Sequence, residues 1–321
     1  MKTNQIKDKK PKPAGYFCLI LLLFAVSFCK ESPPPPVPPG EKSLQPRQAV
    51  TGRIVFHSNF DGSNEICMIS GSKMTRLTDN NWDDEYPVWS PDGRAIAFSS
   101  NREGNFNIYL LRIKDSQITQ LTFSEEDETE PAWYPDGRHV AFTRDMGGFL
   151  RNKLGLFKIN ISTGAVEKII PDYGSTHGIA AVSPAEPLLT FTGKRRLGWD
   201  VAMFHMNTQN VEFLEEGGKT CRARFSHDGK WLAYVSSIDS ERADIWKMRP
   251  DGSEKTRLTY RVDTHDYFPA WSPDDKTIVF NSSTQHSHDG DWQLYLLDVE
   301  SGKTSLLFDS KGNDIFPDWH R

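Results

Sequence analysis

The fold of this chain is decided by a repeated stretch that first reads Pro87-Val88-Trp89-Ser90-Pro91-Asp92-Gly93-Arg94-Ala95-Ile96-Ala97-Phe98-Ser99. It returns at 131–143 and, with Asp-Asp in place of Asp-Gly, at 269–280. Each copy is a short apolar run, a Pro-Asp turn, and a run rich in β-branched and aromatic residues. Such a pattern predicts a strand, a tight turn and a second, antiparallel strand.

The repeat has a regular period. The positions equivalent to the Trp of the first copy are Trp89, Trp133, Val182, Phe225, Trp271 and Trp319. They are 44, 49, 43, 46 and 48 residues apart. Each unit continues with an alternating apolar run, such as Asn107–Leu111, and several end in Leu-Thr, as at Leu77-Thr78. Four strands in about 45 residues are typical of one blade of a β-propeller.

The two ends of the repeat region complement each other. The last residues, 315–320, contain only the first strand of a unit, whereas 52–58 begin at the second strand. Pairing these ends in one sheet would remove the exposed edges of an open ring. The sequence therefore predicts an all-β, six-bladed propeller of four-stranded antiparallel blades, with one composite N-/C-terminal blade.

The Pro-Xaa-Trp-Ser-Pro-Asp-Gly-Xaa-Xaa-Ile-Ala-Phe repeat resembles the WD40-like repeat of TolB-type β-propellers. The resemblance covers about residues 50–321, and we expect the propeller domain to span 51–321. It implies a six-bladed propeller that is usually periplasmic and often serves as a platform for protein interactions.

The N-terminal segment has the pattern of an export signal. Several lysines precede an apolar run from Phe17 to Phe28, which is too short for a spanning helix. Residues 1–29 are thus predicted to be a signal peptide with a lipobox-like end at Cys29; cleavage after Ala25-Val26-Ser27 and a retained anchor are the alternatives. Residues 30–50 form a proline-rich linker, which suits a spacer. We expect an exported lipoprotein, periplasmic or associated with the outer membrane.

Composition narrows the function further. The net charge of -5 argues against non-specific nucleic-acid binding, which usually needs a basic surface. Cys67 and Cys221 are isolated from each other and predict buried thiols rather than a zinc or redox motif. No nucleophile elbow, phosphate loop or dinucleotide fingerprint is present in the sequence.

Acidic residues concentrate in the connections between repeat units. Five residues before the repeat marker stand Asp84, Glu128, His177, Thr220, Asp266 and Asp314. These side chains are expected to surround the mouth of the central channel. Three interpretations are open: a Ca²⁺ or Mg²⁺ site, a surface for a basic partner segment, or structural turn capping.

Two basic residues lie on a strand where other units are mainly apolar. Arg222 and Arg224 are predicted either to neutralise the acidic ring or to bind an anionic ligand. The loop that contains His286 and His288 has a His-Xaa-His pattern, a weak candidate for a metal site.

The sequence as a whole predicts a non-enzymatic, membrane-tethered platform. An envelope protein or peptide would bind through the acidic loops and the channel mouth, with no cofactor required. The alternatives are a metal-dependent propeller lyase or hydrolase that acts on acidic saccharides, and a structural envelope lipoprotein. The resemblance to oligogalacturonate lyases implies a His-bound metal for the first alternative.

Overall fold

The computed structural model describes residues 44–147, 153–170, 177–285 and 290–321. Within these ranges the chain forms six four-stranded antiparallel sheets, which we call blades I to VI. No helix in the described ranges is long and apolar enough to cross a membrane. Cys29 and the proline-rich linker up to residue 43 lie outside the described residues, so the predicted signal and anchor stay predictions.

The strands follow the chain with four to a blade, except at the ends. The first three strands are β1 (Val50–Ser58), β2 (Glu65–Gly71) and β3 (Lys73–Arg76). Blade II contains β4 (Asp84–Trp89), β5 (Ala95–Ser100), β6 (Asn107–Arg112) and β7 (Gln117–Gln120). Blade III contains β8 (Glu128–Trp133), β9 (His139–Asp145), β10 (Leu154–Asn160) and β11 (Val166–Lys168).

The second half of the ring repeats this order. Blade IV contains β12 (His177–Val182), β13 (Leu188–Lys194), β14 (Trp199–His205) and β15 (Asn210–Phe213). Blade V contains β16 (Thr220–Phe225), β17 (Leu232–Ser236), β18 (Asp244–Met248) and β19 (Thr256–Arg257). Blade VI contains β20 (His265–Trp271), β21 (Thr277–Ser283), β22 (Gln293–Asp298) and β23 (Thr304–Phe308), and the last strand is β24 (Asp314–His320).

Blade I closes the ring, as predicted. Its strand order is β24-β1-β2-β3, and β24 pairs antiparallel with β1 from Arg53 opposite His320 to Ser58 opposite Asp314. The chain passes very close to the last strand at Gly52, whose φ is 75°. A Cβ there would lie 2.2 Å from the carbonyl oxygen of His320, so only glycine fits.

The Ser-Pro-Asp part of the repeat builds the hairpin between the first two strands of a blade. Ser90 Oγ donates to the Asp92 carboxylate at 2.7 Å and accepts the backbone N–H of Ala95 at 3.0 Å. The same bonds recur around Ser226 and around Ser272. Because these bonds satisfy the turn internally, Asp92 and its equivalents have structural roles.

The Leu-Thr ending of the repeat also has a structural cause. Thr78 Oγ1 accepts the backbone N–H of Ile66 at 2.8 Å, which caps the start of the third strand of the blade. Thr122 and Thr259 do the same for Ile108 and Ile245. The threonine thereby ties the end of the outer strand back to its own blade.

The hydrophobic core lies between the blades. Six clusters of buried side chains each join two neighbouring blades. Ile54 and Phe56 of blade I, for example, pack in one cluster with Val279 of blade VI. Because each blade covers the apolar face of the next, closing the ring leaves no blade with an unpacked face.

Candidate functional site

The inner strand of every blade carries a β-bulge at the same place. In blade II the pairing shifts between Glu85 and Val88, so that two residues of β4 oppose one of β5. The bulged residue has a left-handed backbone, with φ between 52° and 58° in all six blades. These six residues are Tyr86, Glu130, Ile179, Arg222, Phe268 and Phe316. Non-glycine residues seldom adopt this conformation, so its recurrence in all six blades indicates that the channel requires it.

The bulge decides which side chains line the channel. All six bulged residues line a cavity of ≈ 20 Å³ in the channel, which we call the constriction. That volume accommodates about one water molecule. The residues that the sequence predicted at this place, Asp84 and its equivalents, lie two positions before the bulged residues, at the start of each inner strand.

The prediction that the carboxylates surround the channel mouth is wrong. Asp84, Glu128, Asp266 and Asp314 are fully buried, with no exposed surface. Asp84 accepts hydrogen bonds from Arg102 Nη2 at 2.9 Å and from Asn80 Nδ2 at 2.9 Å. Asn80 lies in the connection between blades I and II, and Arg102 lies in the loop between β5 and β6, so Asp84 holds that end of the blade together.

The other three carboxylates are bound in the same manner. Glu128 accepts a hydrogen bond from Arg144 Nε at 2.7 Å, and Asp266 accepts one from Ser282 Oγ at 2.6 Å. Asp314 accepts a hydrogen bond from Ser58 Oγ at 2.6 Å. Burial raises the pKa of the Asp314 carboxyl to about 7. Each carboxylate therefore ties an inner strand to its own blade, which favours the structural interpretation.

The histidines predicted at the site are only partly described. His177 begins β12 and pairs with Gly193, whereas its side chain lies outside the described part. His286 and His288 lie wholly outside the described residues, so a metal role for them stays a prediction. In the described ranges, no three or more His, Cys, Asp or Glu side chains form a group suited to hold a metal.

One side of the channel is filled by aromatic rings. The Phe316 ring lies 3.7 Å from that of Phe268 and 4.3 Å from that of Tyr86, measured between centroids. His57 stacks on Phe316 at 5.2 Å, and burial lowers its pKa to about 3. The imidazole is therefore neutral at physiological pH and accepts the backbone N–H of Tyr86 through Nδ1.

The opposite side of the channel is charged. The Arg222 guanidinium lies over the Phe268 ring at 4.5 Å. Glu130 accepts hydrogen bonds from Thr143 Oγ1 at 2.9 Å and from the backbone N–H of Ile179 at 3.0 Å. Burial raises the pKa of Glu130, and the charges of Arg222 and Arg224 oppose that shift. Arg222 and Arg224 thus face the channel and Glu130. The four buried carboxylates of the predicted acidic ring have cationic or hydroxyl partners of their own.

Beyond the constriction the channel opens into a wide funnel. It lies at the end of the ring that carries the Ser-Pro-Asp hairpins, which we call the hairpin face, and its volume is ≈ 390 Å³. The six marker residues of the repeat line its wall, namely Trp89, Trp133, Val182, Phe225, Trp271 and Trp319. Arg224 lines both the funnel and the constriction, so it lies where the two meet.

The other end of the ring, which we call the loop face, has a different surface. It consists of the connections between blades and the loops between second and third strands, which contact each other. Asn105 Nδ2, for example, donates to the carbonyls of Ser124 and Glu126. Exposed acidic residues on this face include Asp79, Glu103, Glu125, Glu126, Glu216, Asp239, Glu241, Asp263 and Asp291. Exposed basic residues there include Lys194, Arg195, Arg196, Lys219 and Lys311.

Exposed apolar side chains share the loop face with these acids. Eight large apolar side chains are exposed in the described ranges, and all of them except Val166 lie on the loop face. The seven on the loop face are Trp82, Phe123, Met146, Leu197, Ile238, Tyr260 and Val262. Phe123 is 79% and Val262 80% exposed, so neither is explained by packing within the ring.

The geometry defines a class of protein: a closed six-bladed β-propeller with an aromatic constriction in its channel and two unlike faces. The sequence places it in a family. The model of the TolB beta propeller domain matches residues 43–263, and the chain belongs to this family.

Curated relatives match parts of the chain. An uncharacterized protein of Agrobacterium fabrum is 29% identical over 170 residues, which cover 49% of this chain and 56% of the relative. The Tol-Pal system protein TolB of Desulfosudis oleivorans is 37% identical over 65 residues, which cover 20% of this chain and 15% of that protein. The match thus spans about half of the first relative and a small part of the second.

Solved structures share the fold. TolB from Acinetobacter baumannii has a TM-score of 0.71 at 21% identity, over 84% of this chain and 66% of that one. A structure described as putative TolB from Agrobacterium tumefaciens has a TM-score of 0.66 at 23% identity, over 83% and 92% of the two chains. An oligogalacturonate lyase in complex with manganese is more distant, with a TM-score of 0.53 at 15% identity over 83% and 74%.

Proposed function

We propose that this protein is a non-enzymatic, exported propeller that binds an envelope protein or peptide through its loop face. Seven exposed apolar side chains lie there among exposed carboxylates, and this observation carries the proposal. Apolar anchors surrounded by charge suit a protein interface, because the anchors supply affinity and the charges guide encounter. The family supports the proposal, since a relative is named as part of the Tol-Pal system.

The strongest sector of the loop face is the connection between blades II and III. Phe123 is 79% exposed, and Glu125 and Glu126 beside it are also exposed. Among the described residues, no ion pair neutralises either glutamate. Met146, in the neighbouring loop of blade III, adds a second exposed apolar side chain to the same sector. A partner segment that carries a basic and an apolar residue would match this arrangement.

A matched pair of variants tests the binding face. The double variant Phe123→Ser/Glu126→Lys alters this sector, while Val166→Ser/Glu300→Lys makes the same kinds of change away from the loop face, at the start of β11 and in the turn between β22 and β23. In crosslinking of native envelopes, wild type and the Val166 variant should capture the same specific partner, and the Phe123 variant should lose most of it. Undiminished capture by the Phe123 variant would show that this sector is not the binding surface.

We further propose that the protein is tethered to the membrane through a lipidated Cys29, with the proline-rich linker as a spacer. Mass spectrometry of the mature N-terminus measures this directly. The expected result is an acylated Cys29 as the first residue. A free N-terminus at Phe28 would instead indicate ordinary signal-peptide cleavage and a protein without a lipid anchor.

A further inference from the structure

The hairpin-face funnel has the dimensions and the lining of a small-molecule site. Its volume of ≈ 390 Å³ lies within the range usual for ligand pockets, about 300–1,000 Å³. Four tryptophans and Phe225 contribute to a wall that is largely apolar. Ligand pockets typically combine such walls with a few polar groups that set the orientation of the ligand. In this funnel the polar group at the narrow end is Arg224.

The Arg224 guanidinium makes no direct polar contact with another side chain in the described part of the chain. No side-chain hydrogen bond or ion pair joins its guanidinium to another described residue. Glu130 is the carboxylate on this side of the constriction, and its Oε2 already accepts two hydrogen bonds, from Thr143 and Ile179. It also faces two guanidinium groups, because both Arg222 and Arg224 influence it electrostatically. The narrow end of the funnel therefore carries an excess of positive charge.

Arg222 reinforces this excess from the constriction. Its Nε is buried and has no hydrogen-bond partner among the described residues. Its guanidinium is held in place by the Phe268 and Tyr267 rings, at 4.5 Å and 5.2 Å from their centroids. Stacking on aromatic rings fixes the position of an arginine without neutralising its charge. Arg222 is thus a second positively charged side chain with a fixed position at the constriction, in addition to Arg224.

The wall of the funnel also contains a histidine, His227. Burial disfavours the charged form of His227, but its hydrogen bond to Asp275 and the charges of Asp275 and Asp318 together raise its pKa. The Asp318 carboxylate accepts the backbone N–H of Trp89 at 2.8 Å. The Asp318 carboxylate is therefore engaged, whereas the Arg224 guanidinium has no hydrogen-bond or ion-pair partner among the residues that the structure describes.

We propose that the funnel binds a small organic carboxylate with an apolar body, whose carboxylate pairs with Arg224 and whose body packs on the tryptophan wall. An arginine fork matches the two oxygens of a carboxylate, which gives both strength and orientation. The apolar body would cover the indole rings at the wide end. This site lies on the opposite end of the ring from the proposed protein-binding face and does not depend on it.

A charged ligand and its neutral analogue test the site in the full-length wild-type protein. N-acetyl-phenylalanine has an apolar body and a carboxylate, and its amide has the same body without the charge. Isothermal titration calorimetry should detect binding of the acid, with the amide weaker by roughly tenfold or more, since a charge-assisted hydrogen bond is lost. Equal binding of the two, or no binding of the acid at millimolar concentration, would overturn the proposal.

A variant identifies the residue responsible. Arg224→Gln should weaken binding of the acid by about tenfold or more and leave binding of the amide unchanged. The control is Arg94→Gln, because the Arg94 side chain lies on a hairpin near the funnel but is 87% exposed. Unchanged binding of the acid to a folded Arg224→Gln protein, checked by circular dichroism, refutes the assignment. Should that variant not fold, Arg224→Lys keeps the charge and is expected to retain preference for the acid over the amide.

Discussion

The loop face and the hairpin face are built from the same strands, yet they use similar residues in opposite ways. On the loop face, apolar side chains such as Phe123 are exposed, and carboxylates such as Glu126 are exposed and form no ion pair with another described residue. On the hairpin face, Asp92 is bound within its own turn, and the aromatic side chains line a concave funnel. Residue type alone does not show which surface is free to bind, because local hydrogen bonding decides which groups remain available.

The same difference appears within the loop face itself. Asp84, Glu128, Asp266 and Asp314 lie at the start of inner strands and are fully buried, whereas several acids of the preceding connections, such as Glu125 and Glu126, are exposed. The two kinds of acid stand only a few residues apart in the sequence. The first kind stabilises the blade, whereas exposed acids such as Glu126 are accessible to a partner.

The largest expected effect separates these two kinds of acid. Asp84→Ala removes the partner of a mostly buried Arg102, and we expect the free energy of unfolding to fall by about 3 kcal/mol. Glu126→Ala, the matched change at an exposed site, should leave the midpoint of urea unfolding unchanged. If both variants unfold at the same urea concentration as wild type, the distinction between structural and free acids is wrong.

A second prediction concerns Asp314, which lies where β24 and β1 close the ring. Burial raises its pKa from 3.8 to about 7 in the folded state. The folded protein therefore holds this proton more tightly than the unfolded chain, so its contribution to stability is complete below pH 4 and is lost as the pH rises through 7.

Asp314→Asn should remove this contribution to the pH dependence. Urea unfolding between pH 4 and pH 8 measures it: relative to wild type, the variant should become progressively more stable as the pH increases. Glu126→Gln, at the exposed position, is the control and should follow wild type throughout. A stability difference between Asp314→Asn and wild type that stays constant over this range would contradict the raised pKa.

The smallest expected effect concerns the funnel wall. Trp271 and Trp89 are equivalent and are 3% and 5% exposed. Trp271 Nε1 donates to the Arg224 carbonyl at 3.1 Å, whereas Trp89 Nε1 has no acceptor among the described residues. Replacement of each by Phe removes similar apolar area, so the loss of one hydrogen bond should make Trp271→Phe less stable than Trp89→Phe by about 1 kcal/mol.

Thermal and urea unfolding of the two variants give this difference directly. Trp319→Phe is a useful companion, because Trp319 Nε1 donates to the Thr51 carbonyl at 2.7 Å and should behave like Trp271. A larger loss for Trp89→Phe than for Trp271→Phe would mean that the indole N–H groups do not decide the stability of the wall.

The architecture was predictable because it is local and repeated. The Ser-Pro-Asp turns predicted the hairpins, and the half-units at 52–58 and 315–320 predicted the composite blade that the structure confirms. The position of the turn aspartates on the hairpin face followed from the same pattern. These features depend on contacts within one unit, or on the count of units, which a sequence shows directly.

Apart from Arg222 and Arg224, the lining of the channel was not predicted, because a bulge changes the alternation of the inner strands. In a regular strand, residues two apart share a face, so Asp84 and Tyr86 would point the same way. The shift in pairing after Glu85 breaks that rule. One signal in the sequence marks the lining: at this register the residue type varies from Tyr and Phe to Glu, Ile and Arg, while the next residue is Pro in four blades and Ala in two.

The sequence by itself determined the all-β ring, its six blades and its closure, because turn chemistry and strand periodicity are encoded within each unit. Only the tertiary structure decided which charged groups are free. Burial against neighbouring strands engages Asp84 and its equivalents, whereas Arg224 reaches a cavity without a partner among the described residues. That outcome depends on which side chains meet across different blades, and spacing along one chain does not specify those contacts.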